Sequence, residues 1–322
     1  PITCWKLAPA LATGNTVILK PAQPSPLSAL RLAELTGEAG LPAGCLQILT
    51  GPGASIGETI VTHPLVRKIS FTGSTSVGSR IMQLAARDVK RVSLELGGKS
   101  PAIIFADADL ATAATKSPMS VFANAGQDCC ARSRVFVERK VFDEFVERFV
   151  AATHAIVVGD PADEKTQVGP LVSYKQRTSV QAFVDRAKSQ GRRIVCEDHP
   201  ARDRGYFFAP TVVLDCETSD QIWTDEVFGP VVCIRPFEDE EQMLREVNAS
   251  PYGLSGSIWT RDLARALRVA KCVESGVLSI NSNSSVHVEA PFGGFKQSGQ
   301  GRDLGIAAME GYTELKNVYI AG

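Results

Sequence analysis

The sequence predicts an α/β protein: parallel strands covered by helices, in two domains. Three observations predict it. Short β-rich runs alternate with amphipathic stretches along most of the chain. Glycine-bearing turns stand where strand-like runs give way to helical ones. The length, 322 residues, exceeds the roughly 100–200 residues of a usual single domain.

The first series runs from residue 15 to 105. "TVILK" (16–20) reads as a strand. "SPLSALRLAELTGEAG" follows as a helix, with Ser25 as N-cap, Pro26 at the first helical position and Gly40 as the stop. Then come "LQILTG" (strand), a glycine turn, "IGETIVTH" (helix), "VRKISFTG" (strand), "STSVGSRIMQLAAR" (helix) and "KRVSLEL" (strand). A second series starts after Gly97-Gly98. Its strands are "SPAIIFAD", "RVFVE", "FAPTVVLDC", "PVVCIRPF", "LSGSIWT" and "GVLSIN". Its helices are "DLATAATKSPMSVFANA", interrupted at Pro118, "KVFDEFVERFVAATH", "DEEQMLREVNAS" and "RDLARALRVAKCV". The chain ends on "YTELKNVYIAG", a β-like run with no helix after it, which suits pairing with another domain or subunit.

Composition narrows the classes. Hydrophobic residues make up 44% and charged residues 21%, as in a globular protein. With 34 basic and 35 acidic residues, there is no basic excess for a nucleic-acid surface and no polybasic membrane patch. No apolar run approaches the roughly 18 residues that span a bilayer. The opening "PITCWKLAPALATGN" lacks the basic leader and apolar run of a signal peptide, and a start on Pro1 reads as the interior of something longer. Six of the eight cysteines are scattered singly, the habit of reduced cytoplasmic thiols. There is no CxxC pair, and His63, His154, His199 and His287 are isolated. No metal site is expected.

Four stretches can carry chemistry. "LTGPGASIG" (49–57) and "FTGSTSVG" (71–78) are strand-to-helix junctions with exposed N–H groups and hydroxyls. Both suit a phosphate, and equally a plain turn or a Ser/Thr N-cap. In "LELGGKSP" (94–101), Glu95 stands between two leucines. Buried there, its carboxyl would hold its proton longer and suit a general base; the alternative is an exposed edge-strand Glu. "NAGQDCCARSR" (124–134) holds adjacent thiols, Cys129 and Cys130. A nucleophile would use Gly126 for clearance and Arg132 and Arg134 for charge. Two packed core cysteines are the alternative.

Taken together, these stretches resemble a family. "FANAGQDCCARSR", with Glu95 lying 34 positions before Cys129, is similar to the paired signature of NAD(P)-dependent aldehyde dehydrogenases. "WKLAPALATGNTVILKPA", "EVFGPVV", "PYGLSGSIWT", "GVLSINS" and "PFGGFKQSGQGRDLG" resemble its other blocks, in order. The resemblance implies a Rossmann-like parallel nucleotide-binding sheet (1–97), an α/β catalytic domain (98–297), and a return to the nucleotide domain with a C-terminal oligomerisation strand (298–322). Cys129 becomes the nucleophile and Glu95 the general base. Lys6 and Asp303 match a proton relay, Asp303 being one methylene shorter than the Glu often found there. Lys20, Gln23, Gly53, Phe71, Gly73, Ser74, Leu96, Glu226 and Phe228 match cofactor-binding positions.

The implied reaction oxidises an aldehyde to a carboxylic acid through a cysteine thiohemiacetal and thioester. The implied cofactor is NAD. Gln23, where NAD-preferring members often carry Glu, leaves NADP open. Alternatives are a coenzyme A-acylating relative and a truncated, non-catalytic protein of the same fold. The sequence opens after the point where the family's oxyanion-stabilising Asn stands. The expectation is therefore weak or no activity from this chain alone. A homodimer or homotetramer, a small-molecule aldehyde and no nucleic-acid or membrane partner are the expected associations. The resemblance does not specify which aldehyde.

Overall fold

The computed structural model describes residues 1–196 and 204–322. His199 lies outside them. The chain divides into two compact units. One holds Pro1–Leu96, Val286–Gly293 and Gly299–Gly322; the other holds Gly97–Ser285 and Gly294–Ser298.

The first unit opens with helix α1 (Ile2–Ala12) and strand β1 (Val17–Leu19). Helix α2 spans Leu27–Glu38, and here the structure corrects the sequence reading. Pro26, not Ser25, stands at the cap, and no side chain caps the helix. Ser25 instead closes a turn through its N–H on the Ala22 carbonyl, at 3.2 Å. Strand β2 (Leu46–Ile48) pairs in parallel with β1. A π-helical turn (Gly53–Gly57) leads into short helix α3 (Glu58–Thr62). Strand β3 (Lys68–Thr72), helix α4 (Thr75–Ala86) and parallel strand β4 (Arg91–Glu95) complete a β–α–β unit. Gly78, Ile81 and Ala85 share the buried face of α4, at helical spacing. Val61, Ile69, Leu94 and Leu96 complete the small core beneath it.

The second unit is larger. Its strands are β5 (Pro101–Ile104), β6 (Arg134–Glu138), β7 (Arg193–Val195), β8 (Thr211–Leu214), β9 (Val231–Phe237), β10 (Tyr252–Gly253), β11 (Ser255–Trp259) and β12 (Val277–Ile280). All but β10 form one seven-stranded sheet, in the order β12-β11-β5-β6-β9-β8-β7. Every pairing is parallel except β7 on β8. Strands β5, β8 and β11 are buried along their whole length, as expected of a parallel sheet covered on both faces. The covering helices are α5 (Leu110–Lys116), α6 (Met119–Phe122), α7 (Phe142–His154), α8 (Tyr174–Ser189), α9 (Gln221–Thr224), α10 (Glu240–Asn248) and α11 (Leu263–Cys272).

Strand β13 (Phe295–Lys296) pairs with β10. The chain then returns to the first unit as β14 (Gly299–Gln300), antiparallel to β4. Strand β4 thus lies between β3 and β14, with Gly299 opposite Glu95. After helix α12 (Ala307–Glu310) comes the run read as pairing with another domain or subunit. Residues 313–322 form no strand, and Leu315, Val318, Tyr319 and Ile320 are exposed. A strand needs a ladder partner, and among the described residues this tail has none. No helix among the described residues is long and apolar enough to cross a membrane.

Candidate active site

Glu95 ends β4 and is only 4% exposed. The alternation of β4 fails at this end, where Ser93, Leu94 and Glu95 are all buried. The exposed edge-strand reading of Glu95 is thereby excluded. Its Oε2 has no hydrogen-bond partner among the described residues. Burial first, and the Asp303 charge second, push its pKa up to about 8; Lys6 and Arg302 moderate the rise. Asp303 and Lys6 stand behind it as a salt bridge, Nζ to Oδ2 2.8 Å, and Lys6 also donates to Ser70 Oγ at 3.1 Å. The shorter Asp303 side chain therefore still reaches the lysine. A Cβ at Gly293 would stand 2.8 Å from Glu95 Oε1, so glycine clears room for the carboxylate.

The same unit carries the strand-to-helix junctions. Lys20 follows β1, and its Nζ donates to the Pro21 carbonyl at 2.6 Å and the Gly51 carbonyl at 3.5 Å. Gly53 opens the π-helical turn, with nothing within 4 Å of a Cβ built on it. This open glycine turn, whose first N–H groups precede any helical acceptor, fits a phosphate-bearing cofactor. Gly73 is packed on the Phe71 ring, and its N–H already goes to the Glu95 carbonyl at 3.0 Å. Ser74 caps α4, accepting from the Val77 N–H at 3.4 Å. Leu96 is buried against Gly78, and Gln23 is exposed.

In the second unit the chain leaves α6 through three consecutive left-handed residues: Asn124 (φ 54°), Ala125 (φ 54°) and Gly126 (φ 71°). The side chains of Asn124 and Gln127 clasp each other's carbonyls, at 2.9 and 3.2 Å. Gly126 is required for a reason other than substrate clearance: a Cβ there would collide with the Gly229 carbonyl. Gly126→Ala should therefore destabilise the chain by about 2 kcal/mol or more. Urea unfolding with an unchanged midpoint would contradict this. The turn delivers Cys129, whose N–H donates to no backbone carbonyl among the described residues. The next N–H, of Cys130, is taken by Asp128 Oδ1 at 2.8 Å.

Both thiols are free. A hydrogen bond to Cys130, burial, and the Asp128 and Glu226 charges hold the Cys129 proton on and push its pKa far above the usual thiol range. This corrects the expected role of the two arginines. Arg132 points to the Cys130 carbonyl (2.5 Å) and Ser285 Oγ (2.6 Å). Arg134 points to the carbonyls of Lys99 (3.0 Å), Glu246 (3.4 Å) and Val247 (3.2 Å). Neither offers its charge to Cys129. Asp128, Cys129 and Cys130 bring three potential metal-ligand atoms within 4.8 Å of one another, but Asp128 is engaged with the backbone.

Glu226 Oε1 accepts the Gly98 N–H at 3.0 Å, and burial raises its pKa. A Cβ at Gly97 would strike Glu226, and one at Gly98 the Cys129 carbonyl. The Gly-Gly pair is thus fixed by close packing within this unit. Phe228, at φ 52°, gives its carbonyl to Gln176 Nε2 at 2.8 Å.

The model of the aldehyde dehydrogenase family matches residues 1–318. This chain belongs to that family. It is 44% identical over 322 residues to a betaine aldehyde dehydrogenase of Rhizobium leguminosarum, covering 99% of this chain and 66% of the relative. It is 46% identical over 317 residues to retinaldehyde dehydrogenase 3 of Mus musculus, covering 98% and 62%. An aldehyde dehydrogenase from Bacillus cereus, solved as its NAD+ complex, superposes with a TM-score of 0.97 at 41% identity, over 99% of this chain and 65% of that one. The chain thus spans somewhat less than two-thirds of the length of these relatives.

The chain also has buried groups that its sequence did not single out. Lys99, the residue after "ELGG", is 2% exposed, and its Nζ donates to the Ile222 carbonyl at 2.7 Å. Ser70 links to Lys6. Lys68, hydrogen-bonded to Ser93, has its pKa pulled down to about 8, by burial first. A lysine inside a strand-like run was the only available signal for it.

Proposed function

We propose that this aldehyde dehydrogenase chain oxidises an aldehyde to a carboxylic acid, with Cys129 as nucleophile and Glu95 as general base. The observation that carries the reading is the state of Glu95: a buried carboxylate with one unpartnered oxygen, a proton affinity near neutral, and a Lys6–Asp303 pair behind it. Such a group accepts a proton from water and passes it on. Cys129 adds through Sγ to the carbonyl carbon, forming a thiohemiacetal. Its backbone N–H, which donates to no backbone carbonyl among the described residues, would donate to the oxyanion. When bound, NAD supplies the hydride acceptor that turns the adduct into a thioester. Water deprotonated by Glu95 then attacks the thioester, releasing the acid and the thiol. Lys20, Gly53, Gly73, Ser74, Phe71 and Leu96 would hold the adenosine and pyrophosphate side. Glu226 and Phe228 would hold the nicotinamide side. The NAD+ complex of the Bacillus cereus relative supports this choice of cofactor, and Gln23 leaves NADP as a second substrate of the same site.

The test is a panel of aldehydes with the reduced chain and either NAD or NADP. Reduced nicotinamide is read by absorbance, and the Cys129 peptide by mass. One acyl group on Cys129 per reduced nicotinamide is expected, followed by free acid. Acyl-coenzyme A appearing on addition of coenzyme A would assign the acylating reaction instead. Absence of both reduction and adduct with every aldehyde, from this chain and from a chain restored at its N-terminus with the part its relatives carry, would establish the non-catalytic alternative.

A further inference from the structure

Strands β3 and β4 have two unlike faces. Their parallel register sets Lys68 opposite Arg91, Ser70 opposite Ser93 and Thr72 opposite Glu95. Alternation puts these six residues on one face. The other face carries Ile69, Phe71, Val92 and Leu94, which pack into the small core of this unit. The polar face is covered as well. Ser93 is 8% exposed and Glu95 4%, and Lys6 joins Ser70 to the buried Asp303. A covered face of a parallel pair is ordinarily apolar. Hydroxyls and charges are costly there unless they bond one another.

The bonds they make lead away from Glu95. Lys6 Nζ donates to Asp303 Oδ2 at 2.8 Å and to Ser70 Oγ at 3.1 Å. Ser93 is the cross-strand neighbour of Ser70, one strand spacing of about 4.8 Å away on the same face. Ser93 Oγ accepts from Lys68 Nζ. Lys68 is half-buried, its Nζ 5.5 Å from the centre of the Tyr312 ring. It lies opposite the exposed Arg91, at the far end of β4 from Glu95, roughly 13 Å along the strand. Amine, hydroxyl and carboxyl groups can each take a proton and give one up.

We propose that Lys68 receives the proton that Glu95 takes from water, by way of Lys6, Ser70 and Ser93, and releases it to solvent at the outer end of this face. The route serves the proposed role of Glu95 as base in thioester hydrolysis, and rests on it. One proton moves per thioester. Protonated Glu95 gives its proton to the Asp303–Lys6 pair. Lys6 passes one to Ser70 as Ser70 passes its own to Ser93, and Ser93 passes its own to the Lys68 amine. Each hydroxyl ends as it began, and Lys68 holds the added proton until bulk water takes it. Lys68 touches no reacting atom and acts only through these links. The groups around it suit exchange near neutral pH. Burial first, then the Arg91 and Lys6 charges, pull its pKa down to about 8, against Asp303; the Tyr312 ring covers it. Glu95 also stands at about 8, so the proton passes between groups of similar affinity.

The test forms the thioester without a nicotinamide. The reduced chain is acetylated with p-nitrophenyl acetate and desalted, and loss of acetyl from the Cys129 peptide is followed by mass in acid-quenched samples. Lys68→Met should take the acetyl group normally and lose it about tenfold or more slowly than wild type. Lys68→Arg keeps a cation beside Ser93 but cannot give up a proton near neutral pH, so it should be equally slow. A lysine needed only for its charge and its bond would be replaced by arginine without loss. Lysine labelled with carbon-13 at Cε reports Lys68 apart from any turnover, as the signal missing from Lys68→Met. That signal should titrate near pH 8 in the unsubstituted chain, higher in Lys6→Met and lower in Asp303→Asn. The route is excluded if either Lys68 variant loses acetyl as fast as wild type, or if the Lys68 carbon stays in its ammonium form past about pH 10. If Cys129 takes no acetyl in any chain, its role as nucleophile fails, and the carbon signal alone decides whether Lys68 can carry the proton.

Discussion

Cys129→Ala should remove the acyl adduct and lower aldehyde-dependent nicotinamide reduction by at least about 10⁴-fold, with the fold retained. The side chain is small and partly exposed, and its removal leaves the Asp128–Cys130 turn closed by its own backbone bond. Circular dichroism and urea midpoint should therefore stay near wild type. Reduction surviving in this variant would mean that another group attacks the carbonyl. The resting state makes a second demand. The Cys129 proton is held on by Cys130, by burial and by nearby carboxylate charge. Alkylation of Cys129 by iodoacetamide should thus be slow at pH 7 and climb about tenfold per pH unit to pH 9 without levelling. A plateau near pH 7 would show a preformed thiolate, and the protonated resting thiol would be wrong.

This protonation state marks the limit of what the residues could tell unaided. "NAGQDCCARSR" put two arginines within five positions of the thiol, and proximity in sequence suggested proximity of charge. The chain reverses through Asn124–Gly126, and both guanidinium groups turn to carbonyls instead. Side-chain direction after a left-handed turn is not a function of spacing. By contrast, the rise in the Glu95 pKa was legible, because flanking leucines at a strand end already imply low dielectric. The strands and most helices were legible from alternation. Helix α8 was missed although its buried face, Val180, Val184 and Ala187, is at helical spacing. Its polar composition hid a stripe of only three residues. The buried Lys99 left no sequence signal, since nothing local distinguishes it from a solvated lysine.

Glu95→Gln should separate the two halves of the reaction. Glutamine keeps the shape of the side chain and cannot take a proton. The thioester should form and persist, so the Cys129 peptide retains its acyl group while steady-state turnover falls about 10²–10⁴-fold. The pH dependence follows from the raised pKa. Below about 8 the carboxyl is mostly protonated and cannot act as a base, so wild-type deacylation should rise with pH through about 8 and then level. The glutamine variant should show no such limb. Lys6→Met removes a positive charge that lowers this pKa, so its limb should move to higher pH. Stability gives an independent check. Unfolded, Glu95 loses its proton near its ordinary value of 4.5; folded, it holds the proton to about 8. The folded state therefore loses stability as pH rises across that window. Glu95→Gln escapes that loss, and should unfold at a higher temperature than wild type at pH 9 but not at pH 4. Equal melting of the two at pH 9, with deacylation undiminished, would place Glu95 in solvent and outside the chemistry.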